Sequence, residues 1–335
     1  MSSSALEVAV VGATGSAGAQ VLAALDASDV VIASLRAYGS AARSPRVDTV
    51  TFRGESVGVE PLSALTGVKP DLAILCLPPA IAGKLAPTLV ARGIVVVDVG
   101  NATVGVLDAP LVLPGVTPAL PEEVARAGAV RLPSSVGTLL AALLAPLMSV
   151  GLTGCTGVVS LAASARGRAG VQELAQQVVA ALNNQDPARR VFVDGLAFDT
   201  LPEDTAMDEW SGAELLAAAE VQALTGLPAT AVGVQVATQP LFAGVSAGLH
   251  LRGVTLDAAE EALRGASGLV AVSRTARLRP RAAIGKAGVW WGRLRADPGG
   301  DGVFVWAVTD DLHGAGLAAA RAASWLATAG LLGVA

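Results

Sequence analysis

The sequence predicts an α/β protein whose N-terminal part is a parallel sheet with helices between its strands. Three observations predict it. The chain opens on a β-branched apolar run, "LEVAVVG", that breaks into glycines and turns helical in "SAGAQVLAAL". Two later runs, "DLAILCL" and "GIVVVDV", are short and almost continuously apolar, as strands buried on both faces of a parallel sheet must be. Between them "AIAGKLAPTLVARG" repeats the scheme as a helix closed by a glycine. The chain has 335 residues, 53% of them hydrophobic and only 3% aromatic, so about two domains are expected, with cores built from Ala, Val, Leu and Gly.

The first turn carries the clearest chemical signal. Gly12, Gly15 and Gly18 stand in a GxxGxxG pattern between strand and helix. Such spacing serves a tight turn, a close approach of backbone to a pyrophosphate, and tight packing of helix on strand. The helix start offers free N–H groups and partial positive charge to that anion. Glycines alone occur in many α/β turns. Their place between an opening strand and a helix with an apolar stripe (Val21, Leu22, Leu25) favours a dinucleotide. The expected cofactor loop is Gly12, Thr14, Gly15, Ser16, Ala17 and Gly18. The next strand, "VVIASLRAYGS", has no acid to hold a ribose 2′-hydroxyl and offers Ser34, Arg36 and Ser40 instead. A guanidinium and hydroxyls suit a 2′-phosphate, so NADP is expected rather than NAD.

Further along, "RLPSSVGTLLAALLAPL" is an extended arrival, a Pro-Ser-Ser turn and an apolar helix. A nucleophile there would sit at the positive end of a helix dipole, and the candidates are Ser134 and Ser135. The chain is uncharged from Leu132 to Ala165, more than the ~20 residues a spanning helix needs. Pro133, Pro146, Gly151, Gly154 and Gly157 interrupt it, and "TGVVSL" is β-branched, so a helix followed by a buried strand is expected, without membrane insertion. The net charge of −5 and the absence of a Lys/Arg block argue against a nucleic-acid partner. The two cysteines form no disulfide framework or metal motif: Cys76 reads as a packed strand residue and Cys155 as an inert residue of the turn "GLTGCTG". The N-terminus lacks the basic segment of a secretory signal, which leaves a cytoplasmic location as the expectation.

Across most of its length the chain resembles the aspartate-β-semialdehyde dehydrogenases. "VAVVGATGSAG" resembles the family's opening turn, "ASLRAYGS" its phosphate loop, and "APLVLPGVTP", "GRAGVQEL", "LAFDTLP", "WWGRLRAD" and "VFVWAVTDDLHGAG" follow in the family's order. The resemblance implies a Rossmann-type doubly wound sheet from 1–133 and 313–335. It also implies an α+β substrate and dimerisation domain with a mostly antiparallel sheet over 134–312, and a homodimer. The family reaction is NADPH-dependent reduction of an acyl phosphate through a cysteine thioester, with a His as acid–base.

Carried over position by position, the resemblance places the cysteine on Ser135, or on Ser134 if the turn is registered one residue earlier. The His falls on Val245, the two anion-binding arginines on Thr238 and Val104, and the orienting Gln near Leu161. Ser134 and Ser135 then read as caps of a buried helix at a vacated position. Arg166 and Arg168 flank Gly167 in a loop that lies beside substrate in the family, and could form an anion site or stand exposed. Glu220 matches a family substrate-binding Glu or lies on a solvated face. His250 reads as a strand residue, and His313 as a helix cap or a nicotinamide neighbour. Ala17, Ala37 and Gly314 depart from the family pattern. The expectation is an NADP-binding relative without ordinary semialdehyde dehydrogenase activity. The alternatives are an active oxidoreductase on an altered acyl or carbonyl substrate, and a partner subunit of an active homologue.

Overall fold

A computed structural model describes residues 5–39, 49–117, 121–203, 205–207, 210–273 and 275–332. The chain forms two compact units, residues 1–134 with 315–335, and residues 135–314.

The first unit is built on a seven-stranded sheet. Its strands are β1 (Leu6–Val11), β2 (Ile32–Gly39), β3 (Thr49–Phe52), β4 (Glu55–Pro61), β5 (Leu72–Leu75), β6 (Val95–Asp98) and β7 (Ala129–Arg131). The order is β3-β4-β2-β1-β5-β6-β7, and every pair is parallel except β3 with β4. Helices α1 (Ser16–Asp26), α2 (Pro79–Ala91) and α3 (Pro121–Ala127) connect its strands, and the chain returns in its last helix. Strand β1 is apolar at nearly every position because both faces of the sheet are covered. Val8 and Val10 join a cluster with Val21, Leu22 and Leu25 of α1 and Ala319, Ala323 and Leu326 of the last helix. Ala9 and Val11 face the opposite cluster, with Ala86 and Leu89 of α2. Small residues let the helices come close: a Cβ on Gly316 would lie 2.5 Å from the Gln20 carbonyl oxygen. At the sheet edge β3 and β4 form a hairpin through Arg53 and Gly54, both with positive φ (50° and 76°), the backbone that two-residue hairpin turns require.

The second unit has helices on a mixed sheet. Its elements are α4 (Ser135–Met148), β8 (Gly154–Leu161), α5 (Gly167–Leu182), β9 (Leu201–Pro202), β10 (Thr205–Met207), β11 (Trp210–Ser211), α6 (Gly212–Thr225), β12 (Val232–Thr238), β13 (Val245–Arg252), α7 (Leu256–Gly265), β14 (Leu269–Ala271), β15 (Val289–Ala296), β16 (Val303–Thr309) and α8 (Asp311–Thr328), the last running on into the first unit. The large sheet has the order β14-β15-β16-β13-β8-β12-β9, antiparallel except for β14 with β15 and β8 with β12. The uncharged run resolves into α4 and β8. Leu139, Leu140, Leu143, Leu144 and Leu147 of α4 are all fully buried against the sheet and α6. No helix among the described residues is long and apolar enough to cross a membrane. Cys155 is not in a turn: it is the second residue of β8 and fully buried, because the strand begins earlier than the glycines suggest.

Two polar side chains of α5 hold the segment that follows it. The Glu173 carboxylate accepts from the backbone N–H groups of Arg190, Val191 and Phe192 at 2.8–2.9 Å. Gln177 Oε1 accepts from Leu196 and Ala197. Burial pushes the Glu173 carboxyl up, but these N–H groups and Arg190 outweigh it and hold it below the ordinary glutamate range. A carboxyl depressed in the folded state stabilises above its unfolded pKa and loses that contribution as pH falls through the folded one. Protection of the Arg190–Phe192 amides, measured against their intrinsic exchange rates at each pH, is therefore expected to fall on acidification below the ordinary glutamate value of about 4.3. Glu173→Ala, which orphans three donors, is expected to cost about 2–3 kcal/mol in urea unfolding.

Candidate functional site

The glycine turn follows from three close approaches. Gly12 has φ +88°, and a Cβ there would lie 2.3 Å from the Cys76 carbonyl oxygen. A Cβ on Gly18 would lie 2.2 Å from the Gly12 carbonyl oxygen and 2.7 Å from the Ala13 Cα. At Gly15 the same construction gives 3.2 Å, so that position is less constrained. The Gly12 and Ala13 N–H groups both donate to the Tyr38 carbonyl, at 2.8 and 3.0 Å, which seats the turn on the end of β2. Gly15 caps α1 without a side-chain hydrogen bond, and its carbonyl accepts the first helical bond, from the Ala19 N–H at 3.0 Å. The N–H groups of Ser16, Ala17 and Gly18 thus have no acceptor within the helix. Thr14 is exposed, and Ser16 and Ala17 are half-buried. This is the donor geometry and partial charge that a diphosphate needs.

On β2, Ser34 and Arg36 are exposed, and Ser40 lies outside the described residues. Strand β4 brings a group that local sequence could not reveal. Glu60 Oε1 lies 3.4 Å from a terminal nitrogen of Arg36, with both side chains well exposed. The acid missing from β2 is supplied by the adjacent parallel strand, 24 residues on, and only the pairing of Tyr38 with Glu60 reveals it. The ion pair is worth little in itself because solvent screens it, but it sets the charge that a ribose substituent would meet.

At the carboxyl ends of β5 and β6 the unit buries polar groups. Cys76 follows the last residue of β5, and burial pushes its thiol up to about 12, with Asp98 adding to the effect. Asp98 is fully buried, and one carboxylate oxygen accepts from the N–H and hydroxyl of Thr103 at 2.7 and 2.6 Å. Burial raises its pKa against those bonds. Asn101, with φ +58°, accepts from Arg131 at 2.9 Å, and Arg131 also holds the Ala109 carbonyl. The loop after β6 is thereby fixed, and Val104 stands exposed on it at 49%.

In the second unit, Ser135 is the first residue of α4 and Ser134 immediately precedes it. Glu220 corrects the expectation of a solvated face. It is 1% exposed, on the stripe of α6 that includes Ala217, Val221 and Leu224. Its carboxylate packs on the first turn of α4, where a Cβ on Gly137 would lie 1.9 Å from Glu220 Oε2. A negative charge is favourable there because the helix dipole presents its positive end. Val245 opens β13 opposite Thr309 and is fully buried. Thr238 is 2% exposed, and its hydroxyl donates to Glu203 Oε1 at 2.9 Å. The other oxygen of Glu203 takes Arg166 at 2.7 Å. Arg166 is therefore engaged, whereas Arg168, in the first turn of α5, is exposed. Cys155 is also pushed up to about 12, by burial. His250 lies in β13, stacked on Phe304 and 3.3 Å from Asp297. His313 does not cap the last helix: Asp310 does, accepting from the Leu312 and His313 N–H groups at 3.1 and 3.0 Å. Asp311 reaches the Ser164 hydroxyl and the Gly244 N–H instead, and burial raises its pKa. No group of three or more His, Cys, Asp or Glu side chains suited to a metal ion occurs among the described residues.

The fold and turn define a nucleotide-binding α/β protein with a second, sheet-based unit, and comparison with known proteins agrees. Residues 7–124 match the profile "Semialdehyde dehydrogenase, NAD binding domain", and residues 144–313 match "Semialdehyde dehydrogenase, dimerisation domain". The aspartate-semialdehyde dehydrogenase of Legionella pneumophila is 29% identical over 92% of this chain and 91% of its own. A USG-1 protein homolog of Azotobacter vinelandii is 30% identical over 75% and 74%. The crystal structure of Vibrio cholerae aspartate semialdehyde dehydrogenase II complexed with ASA superposes with a TM-score of 0.89 at 25% identity, covering 97% of this chain and 98% of that one. The chain belongs to the semialdehyde dehydrogenase family.

The turn predicts an asymmetry between its glycines. Gly18→Ala drives a methyl into backbone and is expected to cost about 1–3 kcal/mol in urea unfolding and to abolish nucleotide binding. Gly15→Ala is expected to cost about 1 kcal/mol or less and to leave measurable binding by calorimetry.

Proposed function

We propose that this chain is an NADP-binding, homodimeric member of the family that does not carry out the cysteine-dependent dehydrogenase reaction. The observation that carries the reading is where the two thiols lie: Cys76 follows β5 and Cys155 is buried within β8, so neither stands at the start of α4. Cys76 and Cys155 are the only cysteines in the chain, and burial raises both to about 12. At neutral pH neither supplies a thiolate. The position that the resemblance assigns to the nucleophile is Ser135, or Ser134 in the alternative register. The position of the acid–base is the fully buried Val245. A hydroxyl without a paired base is a poor nucleophile, and an alkyl side chain moves no proton.

The residues of the turn fit a dinucleotide. Gly12 and Gly18 let the turn and α1 close tightly onto the strand ends, and the N–H groups of Ser16, Ala17 and Gly18 would take the diphosphate, with Thr14 and Gly15 beside them. When bound, the nicotinamide ring supplies or accepts a hydride. Arg36, with Ser34 and Ser40, would hold a 2′-phosphate, and this favours NADP. Glu60 opposes it, so the preference for NADP rests on Arg36 turning from Glu60 to the phosphate. The match of residues 144–313 to a dimerisation domain supports the homodimer. The alternative of an active oxidoreductase with Arg166 and Arg168 as its anion site is weakened by the bond from Arg166 to Glu203.

Calorimetric titration is expected to show NADPH binding at least tenfold tighter than NADH. Glu60→Gln is expected to widen that ratio severalfold, and Arg36→Gln to collapse it. With aspartate semialdehyde, phosphate and NADP, the purified protein is expected to give no reduction at 340 nm. Turnover by the unaltered protein overturns the reading, and equal affinity for the two nucleotides overturns its cofactor.

A further inference from the structure

Tyr38 is the only tyrosine of the chain, and it links the glycine turn to the Arg36–Glu60 pair. Its carbonyl accepts from the Gly12 and Ala13 N–H groups, so its backbone is fixed to the turn. Its ring is fully buried in the apolar cluster that holds Val11, Leu65, Leu75 and Leu89. The phenol hydroxyl is buried as well, and it has no hydrogen-bond partner among the described residues. A hydroxyl left unpaired away from water carries a desolvation cost, and folded proteins hold few such groups.

Two neighbours on the same face bear on that hydroxyl. Arg36 precedes Tyr38 by two positions in β2, so both side chains leave one face of the sheet. Glu60 is the residue opposite Tyr38 on β4. Both charges are felt at the phenol: burial pushes its pKa up, Glu60 adds to the rise, and Arg36 opposes it. Arg36 has only donors to give and Glu60 only acceptors. In the structure they are 3.4 Å apart, as an exposed pair that solvent makes cheap to break. Among these three groups the tyrosine proton is the donor left unused. A nucleotide with a 2′-phosphate draws Arg36 away, because a guanidinium pairs with phosphate in a forked geometry. The Glu60 carboxylate then stands beside a second negative charge without its cation.

We infer that Tyr38 is a positioning residue that sets the cofactor preference of this site: its hydroxyl donates to the Glu60 carboxylate once Arg36 has turned to the 2′-phosphate. The inference rests on the NADP reading proposed above and adds to it the group that replaces Arg36 at Glu60. A bond from a hydroxyl to a carboxylate is stronger than one between neutral groups. With NADH there is no phosphate to draw Arg36, so the ion pair stays and the hydroxyl is not called on.

The test is calorimetric titration of NADPH and NADH into the full chain, its Tyr38→Phe and Glu60→Gln variants, and the double variant. Tyr38→Phe keeps the ring and removes only the hydroxyl. It is expected to weaken NADPH at least fivefold and NADH less than twofold. Added to Glu60→Gln, it is expected to change NADPH affinity less than twofold, because no carboxylate remains to be held. A chain labelled with carbon-13 at tyrosine Cζ gives a single resonance, expected to shift on saturation with NADP and to stay in place with NAD. Equal losses for the two nucleotides, or the same NADPH loss with and without Glu60→Gln, would make Tyr38 a packing residue and overturn the inference. So would the same resonance shift with both nucleotides. If the unaltered protein prefers NADPH and Tyr38→Phe leaves the ratio unchanged, the inference alone fails. Equal affinity of the unaltered protein for both removes the NADP reading and this inference with it.

Discussion

The carbonyl oxygen of Gly12 occupies the place where a side chain at Gly18 would begin, and the carbonyl of Cys76 does the same for Gly12. Much of the first unit depends on these two contacts. They bring α1 down onto the end of β1, which lets Val21, Leu22 and Leu25 meet the core of the sheet. They also leave three helix N–H groups facing an open loop. One packing constraint thus gives both a stable strand–helix junction and a place for an anion. The N-terminal glycines are therefore structural residues first, and a nucleotide uses a geometry that the core already imposes.

The second unit is organised by buried carboxylates. Charged residues are only 15% of the chain, and several acids are spent inside. Glu173 gathers three backbone N–H groups, Asp311 ties Ser164 to Gly244, and Glu220 sits against the start of α4. Each faces backbone N–H groups, a hydroxyl or the first turn of a helix, which offsets the cost of burying an acid. Glu203 is different: it joins Thr238 to Arg166 and so neutralises a guanidinium that would otherwise attract an anion.

The chain's own order of residues determined the parallel sheet, the glycine turn, the split of the uncharged run into helix and strand, and the family. These are properties of contiguous stretches: a period of apolar residues, a glycine spacing, a run of motifs in order. Tertiary structure alone decided what lay between segments distant along the chain. Glu60 beside Arg36, Glu203 holding Arg166 and Glu220 at Gly137 each join residues brought close by sheet pairing or helix packing. The burial of Cys155 was hidden for a related reason. Alternation tells which face a residue takes only while the register holds, and register is set by the neighbouring strand.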